Sequence, residues 1–437
     1  MNNLSSDAQV ADARTLAAKL FRACLDRQVT VEDIIDKDSR AGTLSFRDRA
    51  LLASILLTGF RHLGEIEAVL KKLLDKPLPR KSGPAADILA LGVAQLLFLD
   101  MPAHAVIDLS VRAAKADRNA LHFSGLVNAV LRKVAAGGQG LLEGVEAASL
   151  NTPPWLWEKW SKAHGGEAAR LIGLVHARRP ALDLSFKDDA APWIDALGGT
   201  LLPNGQVRLQ PGHPSVPELA GFAEGAWWVQ DAASTIPVNL LGDVRGLRVL
   251  DLCAAPGGKT MQLAAHGADV TAVDISAARI SRLRANLERT GLKADLRIED
   301  VLGEALTGEW DAVLLDAPCT ATGTIRRHPE LPYLKKPRDL RELGGLQKRL
   351  LRKAASLVKP DGRLVYCTCS LEPEEGEAHI KKFLAEAIDY ELVPSSLPWL
   401  PRAAVRPEGW VRTLPFMEFG AAAGLDGFFT AVLRRVP

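Results

Sequence analysis

Two cysteines at the ends of predicted strands are the residues of this chain best suited to covalent chemistry. Cys319 follows the apolar stretch 312–315 within the letters DAPC, and Cys369 follows 362–367 within TCS. A cysteine thiolate is a nucleophile, and loops at the carboxyl ends of neighbouring parallel strands meet at one edge of a sheet. We therefore expect Cys319 and Cys369 to belong to one active site.

Three aspartates follow successive predicted strands at the same edge. Asp274 stands about twenty residues after a glycine-rich loop, where a carboxylate accepts hydrogen bonds from both hydroxyls of a ribose. Asp300 and Asp316 end the next two strands. Three negative charges suit a cationic nucleoside better than a dinucleotide, whose pyrophosphate they would repel. Each aspartate taken singly is also typical of a helix N-cap or a solvated strand end.

The glycine-rich loop lies between the apolar strand 249–252 and a helix that begins near Thr260. Its glycines let the backbone approach a ligand, and the helix N-terminus offers free N–H groups. It has neither the dinucleotide GxGxxG pattern nor the P-loop pattern. We predict S-adenosylmethionine as cofactor, with the loop at the methionine part, Asp274 at the ribose, Asp300 at the adenine, and Asp316 at the sulfonium and the substrate base. The predicted contacts of the loop are Cys253, Ala254, Ala255, Pro256, Gly257, Gly258 and Lys259.

Short apolar strands alternate with helices after residue 221. This alternation predicts a Rossmann-like α/β domain, a mostly parallel sheet covered on both faces by helices. The predicted strands are 248–252, 269–273, 295–298, 312–315 and 362–367. Ligands of such sheets bind beyond the carboxyl ends of the strands, where the cysteines and aspartates lie.

Only helices are predicted over about 8–136. The clearest carries Phe123, Leu126, Val127, Val130, Leu131 and Val134 at helical spacing, so that an apolar stripe faces inward. Together with the preceding helix, 104–116, it resembles the NusB-like RNA-binding fold. A helical domain that only docks or stabilises is the alternative.

The predicted domain boundaries follow changes in composition. The glycine-rich stretch 137–140 gives way to proline- and tryptophan-rich sequence, and 150–220 alternates a helix with extended pieces. We predict a multidomain chain, with an all-α NusB-like bundle over 1–140, a small α/β connecting module over 145–220 and a catalytic α/β domain over 221–437. Three tryptophans in the module are more typical of helix anchors than of base-stacking platforms. They are Trp155, Trp157 and Trp160.

The composition of the 437-residue chain excludes several classes of protein. A net charge of +2 does not by itself indicate nucleic-acid binding, and no apolar run is long enough to span a membrane. The N-terminus lacks the basic and apolar regions of a secretory signal, so we expect a cytoplasmic protein. Five unevenly spaced cysteines without a CxxC pair indicate neither a disulfide framework nor zinc, and we expect no metal.

Three motifs together resemble those of a known family. DLCAAPGGKT at 251–260, DAPCTATGTIRRHPE at 316–330 and YCTCSLEPEE at 366–375 are similar to motifs of the RNA cytosine carbon-5 methyltransferases. With its helical leader, the whole chain resembles the members that act on 16S ribosomal RNA. The resemblance implies an S-adenosyl-L-methionine-dependent enzyme that forms a covalent adduct between a cysteine and carbon 6 of the target cytosine. It also implies Cys369 as the nucleophile and Cys319 as the residue that helps to release the product.

The residues alone leave the assignment of the cysteines open. DNA cytosine methyltransferases use the cysteine of a Pro-Cys motif as nucleophile, and that analogy would select Cys319. Asp316 is expected to hold the edge of the cytosine, and Lys259 is the cation expected to stabilise a thiolate. Cys367, which the usual family motif lacks, is predicted to be a buried core residue.

Basic side chains cluster after Cys319. Between Arg326 and Lys353, ten basic residues stand against three acidic ones. Such a run would hold RNA phosphates, although the amphipathic helix predicted over 340–357 is also typical of a solvated face. We predict a monomer with 16S ribosomal RNA as its partner and no membrane association.

Three other functions are compatible with parts of the sequence. The motifs report base and cofactor, so transfer RNA is an alternative substrate. A non-catalytic RNA-binding assembly factor predicts damaged motifs, whereas these are intact. An amino-group methyltransferase typically carries Asn/Asp-Pro-Pro-Tyr/Phe where this chain has DAPC.

Overall fold

The computed structural model describes residues 13–79, 81–420 and 422–437. Within these residues, the chain forms two compact units. The helical unit contains the described residues up to Glu158, together with His176–Arg178 and His328–Lys335. The sheet unit contains Lys159–Val175, Arg179–Arg327 and Lys336–Pro437. Residues 1–12 lie outside the described residues. Two predictions fall on them, the absence of a secretory signal and the start of the first helix.

The helical unit is built around one buried helix. Its helices are α1 Ala13–Arg27, α2 Val31–Lys37, α3 Ser39–Gly42, α4 Phe46–Arg61, α5 Leu63–Leu73, α6 Ala85–Leu97, α7 Ala103–Lys115, α8 Ser124–Gly137 and α9 Ala147–Leu150. Almost every side chain of α6 is buried, as expected of a helix that is apolar on all sides. Helix α8 buries Val127, Val130, Leu131 and Val134, which confirms most of the predicted stripe. Leu126 is exposed.

Three helices and a small antiparallel sheet follow in the described part of the chain. The helices are α10 Pro154–His164, α11 Gly166–His176 and the short α12 Ile194–Leu197; the strands are β1 Leu182–Phe186, β2 Thr200–Leu201, β3 Val207–Leu209 and β4 Trp227–Val229, in the order β2-β3-β1-β4. A buried ion pair joins β1 to β3, with Arg208 Nε 2.6 Å from Asp183 Oδ1. Because both charges are removed from water, neither could lose its partner without a large cost.

The main sheet of the sheet unit has eight strands. They are β5 Arg248–Leu252, β6 Asp269–Asp274, β7 Asp295–Ile298, β8 Trp310–Asp316, β9 Val358–Thr368, β10 Tyr390–Val393, β11 Val411–Thr413 and β14 Phe428–Arg435. The order is β10-β14-β9-β8-β5-β6-β7, and β11 pairs with β14. The five strands β9-β8-β5-β6-β7 are parallel, and β14 runs antiparallel to β9. The five predicted strands are therefore confirmed, whereas the antiparallel β10, β11 and β14 are additional to the prediction.

Helices connect the strands of the main sheet. They are α13 Ile236–Leu241, which precedes β5, and α14 Gly258–Ala265, α15 Ala277–Thr290, α16 Leu331–Leu334, α17 Pro337–Ser356 and α18 Glu377–Glu386. Strand β12 Glu418–Phe419 pairs antiparallel with β13 Ala422–Ala423. Helix α16 belongs to the helical unit. There Glu330 is fully buried and accepts a hydrogen bond from the Val31 N–H (3.2 Å), and Tyr333 lies 6.1 Å from Phe60 between ring centroids.

Candidate active site

The two cysteine loops leave adjacent parallel strands at the same level. Asp316 at the end of β8 pairs with Cys367 near the end of β9, and the Ala317 N–H donates to the Cys367 carbonyl (3.0 Å). This register brings the two loops together, and the Sγ atoms of Cys319 and Cys369 are 3.5 Å apart. The two predicted cysteines therefore share one site.

Two buried glutamates join the loops. Glu375 accepts the Thr320 N–H (3.0 Å to Oε1) and the Thr320 hydroxyl. Glu372 accepts the Ser370 hydroxyl (2.7 Å) and the Thr322 hydroxyl. Both carboxylates are almost inaccessible to water, at 0 and 1% exposed. Sequence reasoning missed these residues because an acidic stretch such as EPEE is ordinarily a solvated turn.

A glycine lets the two loops approach each other. The Gly323 N–H donates to the Cys369 carbonyl (2.9 Å), and the Gly427 N–H donates to the Gly323 carbonyl (2.9 Å). A Cβ atom on Gly323 would lie 1.8 Å from the Gly427 oxygen. Any larger residue would therefore push the backbone of these loops apart.

Three cysteines of this sheet edge are held in the thiol form. The hydrogen bond with Cys369, burial and the negative charge of Glu375 raise the pKa of Cys319 well above its ordinary value. Burial, followed by the charge of Asp316, raises the pKa of Cys367. Burial also raises the pKa of Cys253 to about 12.

Lys259 pairs with Asp316 inside the sheet edge. Its Nζ is 2.8 Å from Asp316 Oδ2, and the Cys367 Sγ lies 3.6 Å from the other oxygen, Oδ1. Burial lowers the pKa of Lys259, but the charge of Asp316 and the hydrogen bond to it outweigh burial, so the pKa of Lys259 is raised. Lys259 is therefore a cation that fixes Asp316. Cys367 is buried, as predicted, and also contacts this aspartate.

The glycine-rich loop begins at the end of β5 and is tightly folded. Gly257 has φ +106°, and a Cβ atom there would lie 2.0 Å from Leu283 Cδ1. Asp274, buried at the end of β6, accepts the Ala255 N–H (3.3 Å) and the Ser276 N–H (2.9 Å), and forms an ion pair with Arg279 (3.0 Å). The loop and Asp274 are thus held together.

The predicted adenine contact lies on a more open part of the edge. Asp300 is exposed, and its Oδ1 accepts the Leu302 N–H (2.9 Å). Ile275 follows strand β6 and its side chain is 69% exposed, and Ile298, the last residue of the neighbouring strand β7, is 53% exposed. Such exposed apolar side chains at strand ends are suited to cover a planar base, and their exposure could not be read from the sequence.

Asp251 is a further buried acid of this site. It lies on β5, is fully buried, and accepts the Thr260 hydroxyl (2.6 Å), whereas its Oδ1 has no hydrogen-bond partner among the described residues. Burial raises the pKa of Asp251 to about 7, against the effects of Thr260 and Lys259. An orphaned oxygen next to the loop is consistent with a polar ligand group bound nearby.

The basic run after Cys319 divides into structural and exposed charges. Arg326 is buried between Asp231 and Asp426 and is therefore not available as a predicted phosphate contact, whereas Arg327 pairs with Asp426 but keeps a partly exposed side chain. Arg341 and Arg349 are exposed on α17. Only the exposed basic side chains of this run therefore remain as predicted phosphate contacts.

One of the three tryptophans of the predicted connecting module lies beside the cysteine loops. Trp160 is buried, and its indole N–H donates to Glu372 (3.0 Å). This contact agrees with the predicted helix anchor and leaves the ring inaccessible to a base.

The described residues contain no helix long and apolar enough to cross a membrane. Over the same residues, no group of three or more His, Cys, Asp or Glu side chains could hold a metal ion.

Family models match both parts of the chain. Residues 238–434 match the model of the 16S rRNA methyltransferase RsmB/F, and residues 11–136 match the NusB family. The predicted NusB-like leader and the predicted methyltransferase fold are confirmed by these matches.

Curated relatives match over nearly the full length. The chain is 34% identical over 430 residues to ribosomal RNA small subunit methyltransferase B of Cronobacter sakazakii, covering 93% of this chain and 96% of the relative. It is 34% identical over 460 residues to the protein of the same name from Pasteurella multocida, covering 100% of this chain and 99% of the relative.

Solved structures share the fold. The crystal structure of the protein PH0851 superimposes with a TM-score of 0.76 at 25% identity and covers 97% of this chain and 99% of that one. A methyltransferase homolog protein from Pyrococcus horikoshii covers 65% of this chain and 100% of its own, with a TM-score of 0.52 at 28% identity.

Proposed function

Because the chain belongs to the 16S rRNA methyltransferase RsmB/F family, we propose that it methylates carbon 5 of a cytosine in 16S ribosomal RNA, with Cys369 as nucleophile and Cys319 in product release. The enzyme is an RNA methyltransferase that uses S-adenosyl-L-methionine. The observation that carries the proposal is the 3.5 Å separation of two thiol groups at the ends of adjacent parallel strands.

The chemistry explains why two thiols are useful. Carbon 5 of cytosine is a poor nucleophile, so the Cys369 thiolate first adds to carbon 6 and increases the electron density on carbon 5. When bound, S-adenosyl-L-methionine supplies an electrophilic methyl group for that carbon. The proton on carbon 5 must then leave together with the Cys369 sulfur, and Cys319 is close enough to assist this elimination.

The cofactor would be held by the edge formed by β5, β6, β7 and β8. The tight loop 253–259 would take the methionine part, Asp274 the ribose, and Asp300 with the exposed Ile275 and Ile298 the adenine. The unpartnered oxygen of Asp251 supports a ligand in this place.

Asp316 would orient the cytosine, and Lys259 would orient Asp316. A flipped base is read by hydrogen bonds to its Watson–Crick edge, which offers an amino group and a ring nitrogen. One oxygen of Asp316 is bound by Lys259 and the other lies near Cys367, so the carboxylate is fixed in one rotamer. The side chain is a third exposed and therefore open to a substrate.

The RNA itself would be held by exposed basic residues. Arg341 and Arg349 on α17 would contact phosphates, and the NusB-like leader would add a second RNA-binding surface. We further propose that the enzyme acts as a monomer in the cytoplasm, without a metal.

Cysteine variants test the proposal. With unmodified 16S transcript and labelled cofactor, the native enzyme should form 5-methylcytosine, Cys369→Ala should form none, and Cys319→Ala should accumulate a covalent RNA adduct visible on a denaturing gel. Cys24→Ala, which changes a buried thiol of the helical unit, is the matched control and should remain active.

Each outcome decides a separate point. The reverse pattern would exchange the roles of the two cysteines. A native enzyme that methylates a transfer RNA transcript and leaves 16S RNA unmodified would contradict the proposed substrate.

A further inference from the structure

Of the two glutamates that hold the Cys319 loop, Glu375 is the one that binds its backbone, whereas Glu372 accepts the hydroxyl groups of Thr320 and Thr322. Glu375 accepts the N–H of Thr320, the residue after Cys319, at both oxygens (3.0 and 3.2 Å), and also the Thr320 hydroxyl. Hydrogen bonds to a buried, charged acceptor are among the strongest in proteins. The backbone that carries Cys319 is therefore fixed by Glu375 on its C-terminal side.

A glutamine extends this support to the other side of Cys319. Gln347 Nε2 donates to the Pro318 carbonyl (2.8 Å) and to Glu375 Oε1 (2.9 Å), and its own oxygen lies 2.9 Å from His379 Nε2. Glu375 and Gln347 thus bracket Cys319 from both neighbours in the chain. The Glu375 carbonyl accepts the Tyr366 hydroxyl (2.9 Å), which attaches the same residue to β9.

The groups around Cys319 also favour its thiol form. The hydrogen bond with Cys369, burial and the charge of Glu375 raise the pKa of Cys319, whereas the hydrogen bond from the Ala321 N–H lowers it. Tyr366 is a further titratable group that interacts with Cys319. Burial and then the charge of Glu372 raise the pKa of Glu375 itself, against the hydrogen bonds that Glu375 accepts. A thiol with this surrounding keeps its proton and can donate it in a hydrogen bond to the Cys369 sulfur at 3.5 Å.

We propose that Glu375 is the positioning residue of the release step, because it holds Cys319 in place as a hydrogen-bond donor to the departing sulfur of Cys369. The inference rests on the proposed function and names how Cys319 performs its part. Glu375 acts through Cys319 and touches neither base nor cofactor.

The step balances without a further reactant besides water. The bond between carbon 6 and the Cys369 sulfur breaks, and its electron pair stays on sulfur as a thiolate. The electron pair of the carbon 5–hydrogen bond forms the double bond between carbons 5 and 6, and the proton passes to water. Cys319 keeps its proton and stabilises the new thiolate by a hydrogen bond.

Glu375→Gln tests the proposal against a matched neighbour. Gln offers one oxygen instead of two and has no charge, so release should slow by about tenfold or more, the scale of one charge-assisted hydrogen bond. The covalent adduct should then accumulate while its formation remains fast. Glu374→Gln, at an exposed glutamate paired with Lys159, should turn over like the native enzyme.

Alkylation of Cys319 measures an effect of Glu375 that a purely structural role of this residue would not produce. Removal of the Glu375 charge lowers the pKa of Cys319, so iodoacetamide should modify Cys319 at lower pH in Glu375→Gln than in the native enzyme, as followed by mass spectrometry. A shift of one pH unit corresponds to about tenfold faster modification at a fixed pH. Gln347→Leu removes the second support but no charge, and should slow release without this shift.

The outcomes separate the inference from the function it rests on. If the native enzyme forms neither adduct nor methylcytosine, the proposed function fails. If the native enzyme is active and Glu375→Gln releases product at the native rate, or alkylates Cys319 at unchanged pH, the role of Glu375 is refuted. A Glu375→Gln protein that does not fold leaves the decision to Gln347→Leu, whose unchanged release would equally refute it.

Discussion

At the scale of single residues, the site combines charges that water does not reach. Asp251 is the clearest case, because one of its oxygens accepts the Thr260 hydroxyl and the other has no partner among the described residues. Because the pKa of Asp251 is raised from 3.8 to about 7 in the native state, between these two pH values the native state keeps a proton that the unfolded chain has lost. The ionised form of Asp251 thus destabilises the fold unless a ligand compensates for it.

We expect Asp251→Asn to change how stability depends on pH. Between the ordinary aspartate pKa and about 7, the native enzyme should lose about 1.4 kcal/mol per pH unit relative to the variant, because only the native state holds the proton. Asn keeps an oxygen for Thr260, so its own stability should lack this slope. Melting temperatures of the unliganded proteins from about pH 5 to pH 8 measure the difference.

The control for this prediction is an exposed aspartate of the same sheet. Asp269→Asn at the start of β6 should follow the native pH dependence. A constant difference in melting temperature between Asp251→Asn and the native enzyme over the whole range would show that Asp251 is ionised throughout.

The sequence predicts which residues form the site better than it predicts the side chains that surround them. The cysteines and aspartates are predictable because each stands at the end of an apolar strand, and the strand edge brings them together. Glu372 and Glu375 could not be predicted, because their burial depends on hydroxyl and amide donors that come from a loop about fifty positions away. The burial of Arg326, which removes it from the predicted phosphate contacts, could not be predicted for the same reason, since its partners Asp231 and Asp426 are distant in sequence.

At the scale of elements, the position of the site is set by pairing between strands. The five parallel strands have strong local signals, apolar runs bounded by turns, and the chain places them in the expected sheet. Strand β14 lies beside β9 and is buried over most of its length, but its antiparallel pairing depends on a chain reversal without a local signature. The parallel half of the sheet is therefore predictable from the sequence and the antiparallel half is not.

Gly323 is where the two cysteine loops and the loop before β14 meet. We expect Gly323→Ala to abolish most methyl transfer and to lower the melting temperature, because the new methyl group would overlap the Gly427 carbonyl, which is backbone and cannot rotate away. Overpacking of this kind typically costs about 1–3 kcal/mol. Thermal unfolding and adduct formation by the purified variant measure the two effects.

A second glycine provides the comparison. Gly345 lies on the exposed side of α17, where an added methyl group would meet open space, so Gly345→Ala should be active and more stable by about 0.5–1 kcal/mol. Full activity of Gly323→Ala would show that the loops can separate without loss of function.

At the scale of the whole molecule, neither compact unit is a single continuous stretch of the chain. The predicted boundaries, 1–140, 145–220 and 221–437, remain a prediction based on composition. The compact units assign His328–Lys335 to the helical unit, although these residues follow the Cys319 motif directly. A domain boundary predicted from the sequence misses this exchanged segment, 328–335, because composition does not show in which hydrophobic core a short segment is buried.

Within the helical unit, the exchanged segment is largely apolar and well packed. Leu331 and Leu334 are buried, and Tyr333 packs near Phe60. Each such side chain gains about 1.5–3 kcal/mol from burial. The buried Glu330 carboxylate accepts the Val31 N–H, so the segment also satisfies a backbone donor of the helical unit.

A fragment that starts at residue 145 should therefore associate or precipitate, even though it contains every predicted catalytic and cofactor-binding residue. The absence of the leader helices would expose Leu331, Tyr333 and Leu334 to water, and exposed apolar patches drive self-association. Size-exclusion chromatography of fragment 145–437 should show large species, and co-expression with residues 1–144 should restore a single complex. Replacement of these three residues by serine within the fragment should reduce the large species, because it removes the apolar surface while leaving the sheet unit unchanged. A monodisperse, active fragment 145–437 would mean that the segment can refold against the sheet unit and that the leader contributes to RNA binding alone.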